Sequence, residues 1–452
     1  MVEAQTKNQS VFWLWSDEID FQKRGDAIYW SPELVILEKY KNSIPLKQVA
    51  EIKGGKRLPL GEDFSDNGGA PYIRTRDFTS GYIDYPELKK ISEKVFNAIR
   101  SYQIYKDEVL ISIVGTIGAI TILDRDFERC NFTENAAKIV CSEKLNPYYL
   151  YAFLISNIGQ RQLKRLTVGG VQPKLPLYAV EEIKILLPDK HTQQKVEQIV
   201  KEAFRFKSEA EEEHGEASQI LGNAIKEFFV ADNQKTFWKW SNDIEIVKTL
   251  EPNFWKKTVS YKKHSVIKFG DIFNYQKGTE VGSALYQDSG IPFLRVSDLG
   301  DLEIQFGNSS KYINETLFNE LKGEFQPHKG ELLFSKDATI ALVAKVDTEE
   351  KQIISSGILR LQIKHKDFDA DFLTALLTNK FINQELVKNS TGSVIKHLNT
   401  NKLYEIELPL VNKQIQNEVS DKIKSFLSKR QLSKQKLQEA KNFVENLVKN
   451  HN

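Results

Sequence analysis

Along much of the chain, apolar and polar residues change over short distances, in runs bounded by Gly, Asp and Asn. Tyr72-Ile-Arg, Glu108-Val-Leu-Ile-Ser-Ile-Val, Ala119-Ile-Thr-Ile-Leu and Ile358-Leu-Arg-Leu-Gln-Ile are of this kind. Their length and β-branched content predict short strands. The period lengthens to three and four residues at Tyr148–Ile155 and Ala370–Thr378, predicting one helix in each place. Two longer stretches carry a one-sided apolar stripe. The first runs through Val196, Ile199, Val200, Ala203, Phe206, Ala210, Ala217, Ile220, Leu221, Ala224, Ile225 and Phe228. The second runs through Ile415, Val419, Ile423, Phe426, Leu427, Leu437, Ala440, Phe443, Val444 and Leu447. Such a stripe belongs to a helix that pairs with another helix. Thr192 and Asn412 are the expected N-caps. Thirty-odd residues at ~1.5 Å rise make a rod of roughly 45–50 Å.

The pattern occurs twice. Phe12-Trp-Leu-Trp-Ser-Asp returns as Phe237-Trp-Lys-Trp-Ser-Asn, and Pro71-Tyr-Ile-Arg-Thr-Arg-Asp-Phe as Pro292-Phe-Leu-Arg-Val-Ser-Asp-Leu. Lys106-Asp-Glu-Val-Leu-Ile-Ser returns as Lys329-Gly-Glu-Leu-Leu-Phe-Ser, and Gly169-Gly-Val-Gln-Pro-Lys-Leu as Gly392-Ser-Val-Ile-Lys-His-Leu. Leu187-Pro188, five residues before Gln193, returns as Leu408-Pro409 before Gln414. The offsets stay between 221 and 225, so the matches lie on one diagonal and mark a tandem duplication. Each copy has a polar and aromatic leader (Val11–Ser43; Thr236–Ser265), a β-rich module (Ile44–Pro188; Val266–Pro409) and a long helix. Neither helix can bury its stripe alone. The expected fold is therefore α+β: two tandem β-rich modules separated by two long helices packed as an antiparallel coiled coil, with a pseudo-two-fold axis.

Composition narrows the class. The 452 residues are 40% hydrophobic and 27% charged, as in an ordinary globular protein, and allow two to four domains. Apolar runs such as Tyr148–Ile155 fall far short of the ~20 residues of a membrane span. The polar N-terminus lacks a signal-peptide core, which points to the cytoplasm. Cys130 and Cys141 supply neither a disulfide framework nor a metal site. No phosphate loop, nucleophile elbow or metal-spaced histidine pair is present in the sequence. Asn146-Pro-Tyr-Tyr approaches an amino-methyltransferase loop but reads better as a helix start with proline near N1. Pro32-Glu33 with Glu51-Ile-Lys53 fits a loose nuclease pattern that arises easily by chance. The expectation is a protein without catalytic residues.

Two similar modules on a helical spacer suit a long, periodic ligand such as duplex DNA, which repeats every ~34 Å. Side chains fit for bases and phosphates fall in expected loops: Lys56, Arg57, Arg74, Thr75, Arg76, Gln172 and Lys174 in the first module. In the second they are Lys277, Arg295, Ser297, Lys336, Lys396 and His397. Charge divides the modules. Residues 44–190 hold 21 Lys and Arg against 18 Asp and Glu, whereas residues 266–410 hold 16 against 20. An acidic DNA-binding module must gather its basic residues on one face or borrow a partner's positive field. A duplicated adaptor that joins proteins through its coiled coil is the alternative.

The order Val49-Ala-Glu-Ile-Lys-Gly-Gly, Pro71-Tyr-Ile-Arg, Gly81-Tyr-Ile-Asp, Asp107-Glu-Val-Leu-Ile-Ser-Ile-Val-Gly-Thr-Ile-Gly, Asn146-Pro-Tyr-Tyr-Leu-Tyr, Gly169-Gly-Val-Gln-Pro-Lys-Leu, Leu186-Leu-Pro and a Gln-rich helix resembles the specificity subunits of type I restriction-modification systems. The resemblance runs over essentially the whole chain, in duplicate. It implies a leader with target-recognition domain 1 over 1–190, a central spacer helix over 191–235, target-recognition domain 2 over 236–410 and a C-terminal spacer helix over 411–452. It further implies partners: double-stranded DNA, two methyltransferase subunits and, in some systems, restriction subunits. Cofactors would lie on those partners, S-adenosylmethionine with the methyltransferase and ATP with Mg2+ on a restriction subunit. In the second module Ser335-Lys-Asp-Ala-Thr-Ile-Ala replaces Ser112-Ile-Val-Gly-Thr-Ile-Gly. Divergent modules imply different half-sites and an asymmetric target.

Overall fold

The computed structural model describes residues 43–66, 68–226, 228–230, 260–261, 266–300, 302–306, 310–388, 390–391, 397–398 and 400–450. Most of both leaders, with Glu33, and Lys396 lie outside the described residues. The chain divides into two compact units. One comprises residues up to Phe206 together with Leu432–Asn452; the other is Lys207–Gln431.

In the first unit the apolar runs become a four-stranded antiparallel sheet, in the order Ala50–Gly54, Ala136–Cys141, Val109–Ser112, Ile120–Ile122. Val109 and Ile111 face one core with Tyr149, Phe153 and Leu154 from the helix Pro147–Ile155. Leu110 faces a second core with Ile73, Phe78 and Phe132. Burial on both faces is why this strand reads as an unbroken apolar run. A three-stranded sheet, Lys89–Ile91, Ala70–Ile73 and Asn131–Phe132, covers that second side, its last pair parallel. The second unit repeats the plan. Its sheets run Phe273–Lys277, Ile358–Ile363, Leu332–Ser335, Val343–Lys345 and Lys311–Ile313, Ile291–Leu294, Ile353–Ile354.

The long stripes form the central helix Lys190–Lys226 and the terminal helix Lys413–Asn450. Within the first unit, Val196, Val200 and Phe204 join Ala440, Val444 and Val448 in the module's own core. Ser433 Oγ donates to the Ala203 carbonyl at 2.8 Å, and Lys436 pairs with Glu202 at 2.9 Å. Within the second unit, Ala217, Leu221 and Ile225 join Val419, Ile423 and Phe426 in the core. There Glu213 meets Lys429 at 3.1 Å and Lys422 at 3.2 Å. In each unit residue numbers rise on one helix as they fall on the other, so the packing is antiparallel. Each helix half buries its stripe on a module, so packing assigns the helices to the two units, whereas the boundaries read from sequence set them apart as spacers.

Two local features differ from the sequence expectation. Asp189, not Thr192, caps the central helix, its carboxylate accepting from the Thr192 amide at 3.0 Å and hydroxyl at 2.8 Å. Asn412 does cap the terminal helix, accepting from the Ile415 amide at 3.0 Å. The counterpart of Gln193 is Gln416 rather than Gln414. Gln193 Nε2 donates to the Pro188 carbonyl at 2.9 Å, and Gln416 Nε2 makes the same five-residue return to Val411 at 2.7 Å.

The clearest structural trace of duplication is a turn. Ser112 Oγ donates to the Thr116 carbonyl and accepts from the Ala119 amide at 2.9 Å. Ser335 Oγ does the same with Thr339 at 2.6 Å and Leu342 at 2.8 Å. Gly115 and Gly118 have φ of 81° and 82°; Ala338 and Ala341 take their places at 59° and 61°. The left-handed region costs an L-residue roughly 1–2 kcal/mol. Gly115→Ala should thus destabilise the first module by about 1 kcal/mol, although its new Cβ would meet nothing within 4 Å. Ala338→Gly should stabilise the second by up to about 1 kcal/mol, less the entropy that glycine adds to the unfolded chain. Thermal unfolding of both variants checks the pair of signs; equal signs would contradict the backbone account.

Candidate nucleic-acid interface

Antiparallel pairing brings Gly54, Ala136, Ser112 and Ile120 to one end of the first module's four-stranded sheet. The parallel pair Ile73–Phe132 sends its chain out at the same end, where the Thr133 amide donates to the Ile73 carbonyl at 3.0 Å. Backbone bonds then stitch the loops side by side. Gly55 donates to Ala136 at 3.1 Å, Lys56 to Phe132 at 3.0 Å, Ile113 to Asn135 at 2.9 Å and Leu175 to Ile113 at 2.9 Å. Val168 and Lys174 exchange two bonds of 2.8 Å and close a hairpin over the residues between them. A Cβ on Gly55 would lie 2.1 Å from the Thr133 carbonyl oxygen, so this close approach requires glycine. By sequence alone Gly54-Gly55 passes for an ordinary loop. Burial pushes the Tyr72 hydroxyl up to about 12, and it donates to the Lys56 carbonyl at 2.7 Å, bracing the loop from below.

Of the seven residues expected to meet DNA in this module, five stand exposed at this end: Lys56, Arg57, Arg76, Gln172 and Lys174. Thr75 is half-buried. The Arg57 guanidinium lies 3.2 Å from Glu134 with its side chain 75% exposed. Arg74 has a different position. Its Nε and Nη2 grip the Asp77 carboxylate at 3.0 and 2.6 Å, its amide donates to the same group at 2.8 Å, and its side chain is 16% exposed. Arg74 thus holds the turn Thr75–Phe78 that presents Arg76. The Val171 side chain, at the hairpin tip, is almost fully exposed, and nothing in the sequence pattern marks it.

The second module builds the same end with other side chains. Gly278 donates to Ile358 at 3.0 Å as Gly55 does to Ala136, and its Cβ would lie 2.2 Å from the Ser355 oxygen. Thr279 and Glu280 therefore stand where Lys56 and Arg57 stand in the first module. Lys277 is exposed but precedes the loop, paired across the sheet with Leu359. Ser297 is exposed, while the Arg295 amide donates to Asp298 at 2.8 Å in a copy of the Arg74 turn. Lys336 Nζ lies 2.6 Å from the Asp337 carboxylate. His397 lies in a two-residue strand, its backbone opposite Thr391, where the first module pairs Lys174 with Val168. Glu280 and Asp337 place negative charge at the end where the first module is basic. That is where the module's acidic balance becomes visible at the site.

Among the described residues, no group of three or more His, Cys, Asp or Glu side chains could hold a metal ion. Among them too, no helix is long and apolar enough to cross a membrane.

The family model described as the type I restriction modification DNA specificity domain matches residues 38–217 and again 261–442. The specificity subunit of the type I restriction enzyme EcoBI from Escherichia coli is 26% identical over 164 residues, which are 36% of this chain and 34% of that one. The match thus spans about a third of that relative's length. The MjaVIII specificity subunit of Methanocaldococcus jannaschii is 22% identical over 310 residues, 66% of this chain and 69% of the relative. A crystal structure of the type I restriction-modification S subunit from M. genitalium aligns with a TM-score of 0.46 and 14% identity, covering 93% of this chain and 98% of that one. The two domain matches fall on the two modules that hydrogen bonding sets out in parallel, and the chain belongs to the type I restriction-modification DNA specificity family.

Proposed function

We propose that this chain is the DNA-recognition subunit of a type I restriction-modification complex, reading a split, asymmetric site with one module per half. The observation that carries the reading is the pair of sheet ends: one backbone frame, built twice, bearing different side chains. Frames of equal geometry place their side chains alike, so a difference in residues becomes a difference in bases read. Phosphates supply much of the affinity for such a surface, and Lys56, Arg57, Arg76 and Lys174 are the exposed cations for it. The two long helices carry the spacing between the readers and offer docking surfaces to two methyltransferase subunits, with restriction subunits joining where the system has them. Linked binding makes the pair of modules tighter than either alone. The chain itself is the non-catalytic member. S-adenosylmethionine is expected on the methyltransferase, and ATP with Mg2+ on a restriction subunit. Its place of work is the cytoplasm, where the DNA is.

Co-purification with a methyltransferase encoded beside it, followed by single-molecule sequencing of adenine methylation, tests the reading. The expected result is a gapped motif methylated once on each strand, with unlike halves. The acidic end of the second module favours the protein adaptor as the second reading. A complex that neither methylates DNA nor binds it in a salt-sensitive way would leave that one standing.

A further inference from the structure

In both modules the residue after the locked serine strand is pinned from two sides. In the first, the Ile113 amide donates to Asn135 and its carbonyl accepts from Leu175, both at 2.9 Å. In the second, the Lys336 amide donates to Gly357 at 2.9 Å and its carbonyl accepts from Leu398 at 2.8 Å. The serine turn that follows is also the same. Backbone is thus held constant here while chemistry changes: Ile113-Val114 becomes Lys336-Asp337. The ammonium and carboxylate lie 2.6 Å apart, with side chains 12% and 23% exposed, beside the exposed Ala338 and Thr339. A Cβ on Gly357 would lie 3.0 Å from Val296 and in ordinary contact with Asp337 at 3.7 Å, so the glycine's tight neighbour is Val296.

A carboxylate facing DNA is repelled by phosphates, so its favourable partner is a donor on a base edge. In the major groove, cytosine N4 is such a donor, and the guanine paired with it offers O6 and N7 as adjacent acceptors. An acceptor and a donor held side by side match that edge; adenine N6 also offers the carboxylate a donor, but its pair gives the ammonium no two adjacent acceptors like guanine O6 and N7. The geometry points to Asp337, braced by Lys336, as a specificity-determining residue of the second module that reads a C·G pair. This inference rests on the DNA-recognition role proposed above. The apolar Ile113-Val114 pair at the matching place in the first module has no such chemistry, and its half-site is expected to differ at the corresponding position.

The test uses the chain in complex with its methyltransferase, as wild type, D337N and D337A, with sequencing of methylated adenine as the readout. Asp337→Asn keeps the shape and removes the charge; both variants should melt with the wild type. The expected result is that preference for C·G at one position of one half-site falls about tenfold or more in both variants, all other positions holding. An unchanged motif in both variants overturns the inference. So does loss of every preference in that half, which would make the couple a brace of the turn. If the wild type itself leaves no methylated motif, the DNA-recognition role fails first, and the inference with it.

Discussion

Lys138→Met is expected to destabilise the first module by about 3–5 kcal/mol, the range for removing one partner of a buried ion pair. Lys138 sits in the middle of the four-stranded sheet opposite Leu110, and its Nζ lies 2.9 Å from both carboxylate oxygens of Glu108. The two side chains are 8% and 11% exposed. Glu108 also accepts from the Tyr105 amide at 2.8 Å, so it cannot turn out to water without breaking the loop before its strand. The variant therefore strands a desolvated carboxylate. The double variant Lys138→Met with Glu108→Gln should recover most of the loss, because the buried charge is then gone from both sides. The second module repeats the device as Arg360 and Glu331, 3.0 Å apart and 8% and 12% exposed, with His328 donating where Tyr105 does. Hydrogen exchange of the strands Ala136–Cys141 and Ile358–Ile363 reads each module separately, since unfolding of two units need not be all-or-none. A loss under 1 kcal/mol in the single variant, or no recovery in the double, would show that the pair is not the desolvated element assigned here.

The second large effect concerns DNA affinity. Replacing Lys56, Arg57, Arg76 and Lys174 together by Ala should lower the slope of log affinity against log salt by about 0.9 for each phosphate that is no longer neutralised. Four such phosphates amount to roughly a thousandfold in affinity at 0.1 M salt. Arg57 is discounted in part, because its guanidinium already has Glu134 at 3.2 Å. The matching change in the second module, Lys277 and Lys336 to Ala, should be much smaller. Lys336 is neutralised by Asp337, and Glu280 opposes the field. Titration of duplex DNA by the assembled complex at several salt concentrations decides the matter. Equal slopes for both variants would remove the electrostatic division of labour between the modules. An unchanged slope in the fourfold variant would move phosphate binding away from this end of the sheet altogether.

What the linear sequence determines about this protein is whatever local pattern and repetition encode. The strands at Val109–Ser112 and Ile358–Ile363 and the helices at Pro147–Ile155 and Ala370–Thr378 follow from short apolar runs bounded by turn and capping residues, and the two long amphipathic helices from a period of 3.6. The duplication follows from matched segments at a nearly constant offset, which no fold is needed to see. The family is legible in the order of those segments. Candidate site residues are legible as types, since Lys, Arg and Gln in loops suit bases and phosphates, but not as positions. Arg74 and Arg76 are two residues apart, yet one is spent on Asp77 while the other faces out. Which of them is free depends on where a short turn points each side chain. Lys277 has the residue type of the basic loop, whereas the bond from Gly278 to Ile358 shows that Thr279 and Glu280 occupy it. Glu280 and Asp337 do not stand out in the sequence, because acidic residues are commonplace and become informative only when a fold holds them at the end of a sheet that should meet phosphate. The division of each long helix between two units is hidden for the same reason: a stripe records that a face is buried, while the surface that buries it is chosen by tertiary packing.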